Sequence, residues 1–163
     1  MTIRVFATGG TFDKNYDYIN GRLFFEDTQL PEMFRLGRNT IDINLRTLMM
    51  IDSLEMTEED RSVIAHNCKT CEEKHILITH GTDTMVETAR VVAQLGLEKT
   101  IVLTGAMVPY RFGSSDGFFN LGSALAFAQT LPSGVYVVMN GRHFTWDNVR
   151  KNRQTGFFEE LKV

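Results

Sequence analysis

The chain has 163 residues, 43% of them hydrophobic and 23% charged, with 12 Phe and 8 Met; this composition folds around an aromatic-rich core and excludes a disordered chain. A formal net charge of -3 gives no electrostatic pull toward nucleic acid or an anionic membrane, which leaves small molecules or proteins as partners. No apolar run approaches the roughly 18 residues that span a bilayer, no signal-peptide pattern follows Met1, and Cys68 and Cys71 are too few and too close for a disulfide framework, so a cytoplasmic location is expected.

Residues 3–7 read as a short buried strand that runs into Thr8-Gly9-Gly10-Thr11, where glycine permits close backbone approach to a ligand. Residues 12–25 carry Tyr16, Tyr18 and the hairpin-turn pair Asn20-Gly21 between two aromatic stretches, and so predict a hairpin or flap. A short helix over 30–36 closed by Gly37 follows, then a strand over 41–51 that ends at Asp52-Ser53. Thr57 ahead of Glu58, Glu59 and Asp60 starts a helix, because its hydroxyl can cap the first turn while the acids oppose the helix dipole. Val63, Ile64, Cys68 and Cys71 are expected to share the buried face of that helix.

The remainder alternates: a strand over 75–79, a helix over about 83–95, a strand over 100–104, a helix over about 116–130 and a strand over 135–139. On the last helix, Phe118, Phe119, Leu121, Leu125 and Ala126 read as the core face. Strand, polar turn and helix in this order make right-handed crossovers. The expected fold is therefore one α/β domain over 1–163, an open, mostly parallel sheet of Rossmann or flavodoxin-like type with helices on both faces and an N-terminal hairpin or flap.

Ligands of open parallel sheets bind beyond the carboxyl ends of the strands. The residues placed there are Thr8 and Thr11, then Ser53, then Thr79, His80, Thr82, Asp83 and Thr84, then Thr104 and Met107. Any one hydroxyl in such a turn is ordinary cap chemistry; their joint occurrence marks a site. The Gly-rich turn is no phosphate cradle, since it lacks both the Walker Lys-Ser/Thr and the spaced glycines of a dinucleotide fingerprint. His66, Cys68, Cys71 and His75 include zinc-ligand types, but the cysteines fall on an apolar helix face and read as buried thiols, so neither metal nor other cofactor is expected.

Thr8-Gly9-Gly10-Thr11, His80-Gly81-Thr82-Asp83-Thr84-Met85 with Glu87-Thr88-Ala89, and Thr104-Gly105-Ala106-Met107 with Ser115-Asp116-Gly117 and Asn120-Leu121 resemble the bacterial-type L-asparaginase family in order and spacing, over nearly the whole chain. The resemblance implies hydrolysis of a side-chain amide of L-asparagine or a related amide through an acyl-enzyme, with Thr11 as nucleophile. Thr82, Asp83 and Lys151 of Asn148-Val149-Arg150-Lys151-Asn152 match the activating group, with Arg150 and Arg153 flanking the lysine by like charge. It further implies that Ser53 binds the substrate carboxylate, that Asp83 also receives the ammonium, and that Gly10, Gly81 and Ala106 line the substrate. Backbone N–H groups near Gly81 and Thr82 would face the oxyanion.

The chain departs from the family pattern in three places. Members usually carry a second, C-terminal domain, and this sequence stops soon after Lys151. Leu54 stands where secreted members have Gln beside the carboxylate-binding Ser, and the flap tyrosine has only Tyr16 or Tyr18 as stand-ins, while the spacing of the family places it near Phe24. Two readings follow: an amidohydrolase releasing ammonia, or a weakly active or inactive module that binds amino acids or amides. An isolated domain of this kind is expected to cover its apolar surface as a homodimer or higher homo-oligomer.

Overall fold

A computed structural model describes residues 1–161. Its centre is a six-stranded sheet in the order β4-β1-β5-β6-β7-β8, built from β1 (Thr2–Gly9), β4 (Asp42–Ile51), β5 (His75–Thr79), β6 (Thr100–Thr104), β7 (Gly134–Met139) and β8 (Arg142–Thr145). The first five are parallel, and β8 returns antiparallel along β7. Helices α1 (Leu30–Leu36), α2 (Glu58–Thr70), α3 (Met85–Ala93) and α4 (Gly117–Thr130) make the crossovers. Two hairpins stand apart from the sheet: β2 (Lys14–Asp17) with β3 (Arg22–Phe25), and β9 (Arg150–Lys151) with β10 (Phe158–Glu159).

Strand alternation divides the core. Phe6, Ile76, Ile78, Ile101 and Leu103 face α2 and α3 with Ile64, Met85 and Ala89, while Ile3, Val5, Leu77 and Val102 face α1 and α4 with Met33, Leu121 and Ala124. The mixed, mostly parallel α/β sheet covered on both faces is the expected one. Thr57 caps α2 reciprocally with Asp60, whose N–H donates to the Thr57 hydroxyl at 3.2 Å while its Oδ2 accepts the Thr57 N–H at 2.8 Å. The aromatic hairpin forms, its turn closed by Asp17, whose carboxylate accepts the N–H of Ile19 and Asn20 at 3.0 and 3.1 Å, with Gly21 at φ 65°.

Two helix faces are corrected. Phe118 and Phe119 are 39% and 63% exposed and Ala126 is exposed, because α4 turns Gly117, Asn120, Leu121, Ala124, Leu125 and Ala128 inward on the 3.6-residue period. Val63 likewise points outward, while its neighbour Ile64 is buried with Cys68. The third helix begins at Met85, which leaves Asp83 and Thr84 in the turn where a ligand can reach them.

Candidate active site

The strand order reverses between β1 and β5, since β4 lies on one side of β1 and every later sheet strand on the other. The connections leaving these two strands diverge and open a crevice at their carboxyl ends. Thr11 follows β1 there, and Thr82 and Asp83 follow β5. Gly10 brings the two turns into contact: its φ is 77°, and a Cβ at that position would sit 2.4 Å from the backbone N of Gly81. Only glycine permits both the left-handed conformation and this approach. Gly81 is equally confined, since its Cβ would meet Ser53 Oγ at 2.5 Å. Thr11 is half-buried at the head of the first turn, and among the described residues its hydroxyl has no hydrogen-bond partner.

Lys151 reaches this crevice from β9. Its Nζ lies 2.8 Å from Thr82 Oγ1 and 2.9 Å from Asp83 Oδ1, with the side chain only 11% exposed. A contact this short between an amine and a hydroxyl carries a proton in either direction. Arg153 adds a second cation to the same carboxylate, with Nη1 donating to Asp83 Oδ1 and Nη2 to the Asp83 carbonyl, each at 3.1 Å. Arg150 does not crowd Lys151; it turns to Glu159, with Nε 2.8 Å from Oε1.

A chain of amides holds β9 in place. Asn120 donates to the Gly105 carbonyl at 2.9 Å and accepts the Asn140 N–H at 3.1 Å. Asn140, at φ 58°, accepts the Phe158 N–H at 3.0 Å, and Phe158 pairs with Lys151 across the hairpin. Asp116 fixes the loop after β6 by accepting the N–H of Met107 and Val108 at 3.0 Å. The tie through Asn140 was missed by sequence reasoning, because it depends on a two-residue strand pairing. The hairpin-turn pair Asn140-Gly141 directly after the apolar run of β7 was the available signal.

Other expected residues fall into distinct places. Ser53 is 1% exposed, and its Oγ accepts the Thr84 N–H at 3.3 Å, so it braces the turn from beneath. Thr84 donates to the Ser53 carbonyl at 2.8 Å and accepts from Arg61 at 3.0 Å. Thr8 and Thr104 stitch neighbouring strands by donating to the carbonyls of Thr79 and Val138 at 2.7 and 2.8 Å. Ala106 is buried with its methyl in the core, so it faces a ligand through its backbone. Tyr16 packs edge-on against Phe112 at 6.3 Å, and Tyr18 is 82% exposed at the hairpin tip. An ion pair between Lys14 and Asp52 ties the base of that hairpin to the Ser53 turn. Of the four residues weighed as zinc ligands, His75 is bonded to the Ala128 carbonyl at 2.8 Å, and among the described residues no three His, Cys, Asp or Glu side chains gather as a metal site.

Two buried titratable groups flank the crevice. Burial pushes His80 down to about 4, against a bond to the Gly81 carbonyl and with the Arg61 charge adding to the shift. Its Nδ1 lies 2.8 Å from that carbonyl, which only accepts, so Nδ1 carries the proton and Nε2 accepts from the Thr88 hydroxyl at 2.7 Å. Both nitrogens are occupied, leaving none for base chemistry. Asp13 is fully buried with Oδ2 unpartnered, and burial pushes it up to about 6 despite hydrogen bonds from Gln29 and Thr28.

The two groups act on stability in opposite directions. His80 contributes stability above its ordinary value of 6.5 that is lost as pH falls toward about 4. Asp13 contributes below 3.8 and loses its contribution as pH rises through about 6. Asp13→Asn is therefore expected to uncover the His80 term: unfolding free energy from urea titrations should rise by about 3 kcal/mol between pH 4 and 6.5, while the wild type stays flat within about 1 kcal/mol. A flat profile in the variant would contradict the assignment.

The family model described as "Asparaginase, N-terminal" matches residues 2–159. L-asparaginase 1 of Escherichia coli K12 is 32% identical over 166 residues, covering 96% of this chain and 49% of the relative. A probable periplasmic L-asparaginase of Haemophilus influenzae is 34% identical over 169 residues, covering 94% and 47%. The solved thermostable L-asparaginase from Thermococcus kodakarensis superposes with a TM-score of 0.89 at 27% identity, covering all of this chain and 52% of that one. The chain thus spans about half the length of the curated relatives it matches. On the match of its fold, its motifs and almost its entire length, the chain belongs to the asparaginase family, corresponding to that family's N-terminal domain.

Proposed function

We propose that this chain is an amidohydrolase that releases ammonia from the side-chain amide of L-asparagine or a related small amide. The observation that carries the reading is Lys151 Nζ at 2.8 Å from Thr82 and 2.9 Å from Asp83, beside the turn that presents an unengaged Thr11 hydroxyl. Thr11 Oγ attacks the amide carbon, and its proton passes through Thr82 to Lys151. Backbone N–H groups at Gly81 and Thr82 receive the oxyanion. Collapse expels ammonia with the returned proton, and water then hydrolyses the threonine ester to the carboxylate. Gly10 and Ala106 line the amide by their backbones, Ser53 supports the turn, and Tyr16 or Tyr18 closes from the hairpin.

A second assignment of the nucleophile is favoured by one observation. Lys151 contacts Thr82, so Thr82 could itself attack, with Lys151 as its direct base. The alternative of a binding module without turnover has its own signature. Purified chain incubated with L-asparagine should yield ammonia and L-aspartate in equal amounts over many turnovers. Saturable binding with no ammonia would favour the binding module.

The free cysteines Cys68 and Cys71 fit a reducing compartment, which supports a cytoplasmic location, and among the described residues no helix is long and apolar enough to cross a membrane. Exposed Phe112, Phe118 and Phe119 lie on or just before α4 and support self-association as a homodimer. A strictly monomeric mass in light scattering across micromolar concentrations would count against the dimer.

A further inference from the structure

The end of the sheet opposite the crevice holds a cluster of reactive side chains. Residues 71–74 lead from α2 into β5, so Cys71 lies at the amino ends of the strands, away from Thr11, Thr82 and Lys151. Lys99, one residue ahead of β6, reaches this point and is 8% exposed. Its Nζ donates to the Cys68 carbonyl at 2.8 Å, to the Cys71 carbonyl, and to Cys71 Sγ at 3.5 Å. The two carbonyls are free acceptors at the end of α2, where a cation also suits the helix dipole. Capping thus accounts for two of the three N–H donors, and the third meets sulfur.

A buried ammonium is ordinarily paired with a carboxylate. Among the described residues Lys99 forms no ion pair with Asp or Glu, so the group touching it that can carry a full negative charge is the Cys71 side chain. Cys71 is half-buried, whereas Cys68 is fully buried. The other contacts of Cys71 Sγ are long, 3.6 Å to the Cys68 carbonyl and 4.0 Å to that of Glu73. Cys71 lines a surface cavity of about 370 Å³ together with Arg4, Asn44, Arg46 and Asn67. Arg4 is held by Glu73 at 2.9 Å. Arg46 is exposed and among the described residues forms no ion pair, which leaves positive potential in the cavity wall.

We propose that Cys71 is a site of reversible oxidation by small hydroperoxides, and that Lys99 holds the product as a sulfenate anion. The sulfur attacks one peroxide oxygen, so that an S–O bond forms as the O–O bond breaks and two electrons pass from sulfur to the peroxide. The leaving oxygen takes the thiol proton and departs, as water when the oxidant is hydrogen peroxide. The sulfenic acid then loses its proton to solvent, and the anion pairs with the Lys99 ammonium in a charge-assisted hydrogen bond. Cys68 does not convert it to a disulfide: burial pushes that thiol up to about 12, with Cys71 adding to the shift and Lys99 opposing it, so Cys68 supplies no attacking thiolate.

The test treats the whole chain with hydrogen peroxide, captures sulfenic acid with dimedone and reads the tryptic peptides by mass. Trypsin separates the two cysteines, Cys68 in residues 62–69 and Cys71 in residues 70–74. Label on Cys71 should exceed label on Cys68 by at least about tenfold, and without dimedone a thiol reductant should remove the single added oxygen. Lys99→Gln keeps N–H donors for the carbonyls but loses the charge, and should lower the labelling rate of Cys71 about tenfold; Lys99→Arg should recover most of it. Cys68→Ser leaves Lys99 untouched and should label as the wild type does. Label chiefly on Cys68, a disulfide joining the two peptides, no label at millimolar peroxide, an unchanged rate in folded Lys99→Gln, or loss of label in Cys68→Ser would each overturn the proposal. None of these readings depends on amide hydrolysis.

Discussion

Replacing Thr11 by alanine is expected to lower kcat for amide hydrolysis by about 10⁴-fold or more, roughly 5.5 kcal/mol of transition-state stabilisation, while the affinity for product stays within about threefold. The selectivity of that loss follows from the geometry. Among the described residues the Thr11 hydroxyl bonds to nothing, so removing it leaves no orphaned partner. The short helical turn it begins, Thr11–Asp13, is set by Gly10 and by the buried Phe12 and Asp13, none of which the substitution touches. The Thr82, Lys151 and Asp83 contacts survive as well, and with them ligand binding. Ammonia release and product titration on the same preparation read the two quantities, and a variant that loses less than about tenfold in kcat would shift the attack to Thr82.

Lys151→Met is expected to reduce kcat by about 10³-fold with little change in fold stability. Methionine fills a similar apolar stem, and Asp83 keeps its bidentate partner Arg153, at 3.1 Å from both the carboxylate and the carbonyl. No uncompensated charge is left at the half-buried carboxylate, so the melting temperature should fall by only a few degrees. What disappears is the amine that takes the proton arriving from Thr82, whose hydroxyl would be left with Met107 Sδ at 3.6 Å. Unchanged hydrolysis would remove Lys151 from the mechanism.

The parts of the fold legible in the sequence are those determined locally. Leu30–Leu36 carries Pro at its start and Gly37 at its end, Thr57 and Asp60 cap each other, and the aliphatic runs of β5, β6 and β7 are too short for helices and buried along their length. Residues whose placement depends on pairing at a distance were not legible. β8 and the β9-β10 hairpin are short and polar, with Arg142 and Arg150 exposed, so their periodicity carries no signal and only register against β7 or with each other creates them. Phe118 and Phe119 were misplaced because aromatic identity outweighed phase: the helix buries Asn120 and Leu121, and the adjacent phenylalanines are carried to the surface.

The site divides along the same line. Thr11, Thr82 and Asp83 follow from a rule about strand ends, and the sheet order then places them at the single reversal between β1 and β5. Lys151 came only from a motif match, because the amides of Asn120 and Asn140 that position its strand lie far away in sequence. Arg153 was seen only as like charge beside Lys151, yet its guanidinium lies on Asp83. Ser53 was read as a ligand contact and lies buried under the turn, since a hydroxyl at a strand end satisfies a backbone amide as readily as a substrate.

Rapid acid quench of the chain turning over L-asparagine, followed by mass analysis of its tryptic peptides, tests the threonine acyl-enzyme most directly. An aspartyl adduct localised to Thr11, within the peptide over residues 5–14, is the predicted result. The same adduct on Thr82, in the peptide over residues 75–90, or sustained ammonia release with no adduct on either threonine, would contradict it.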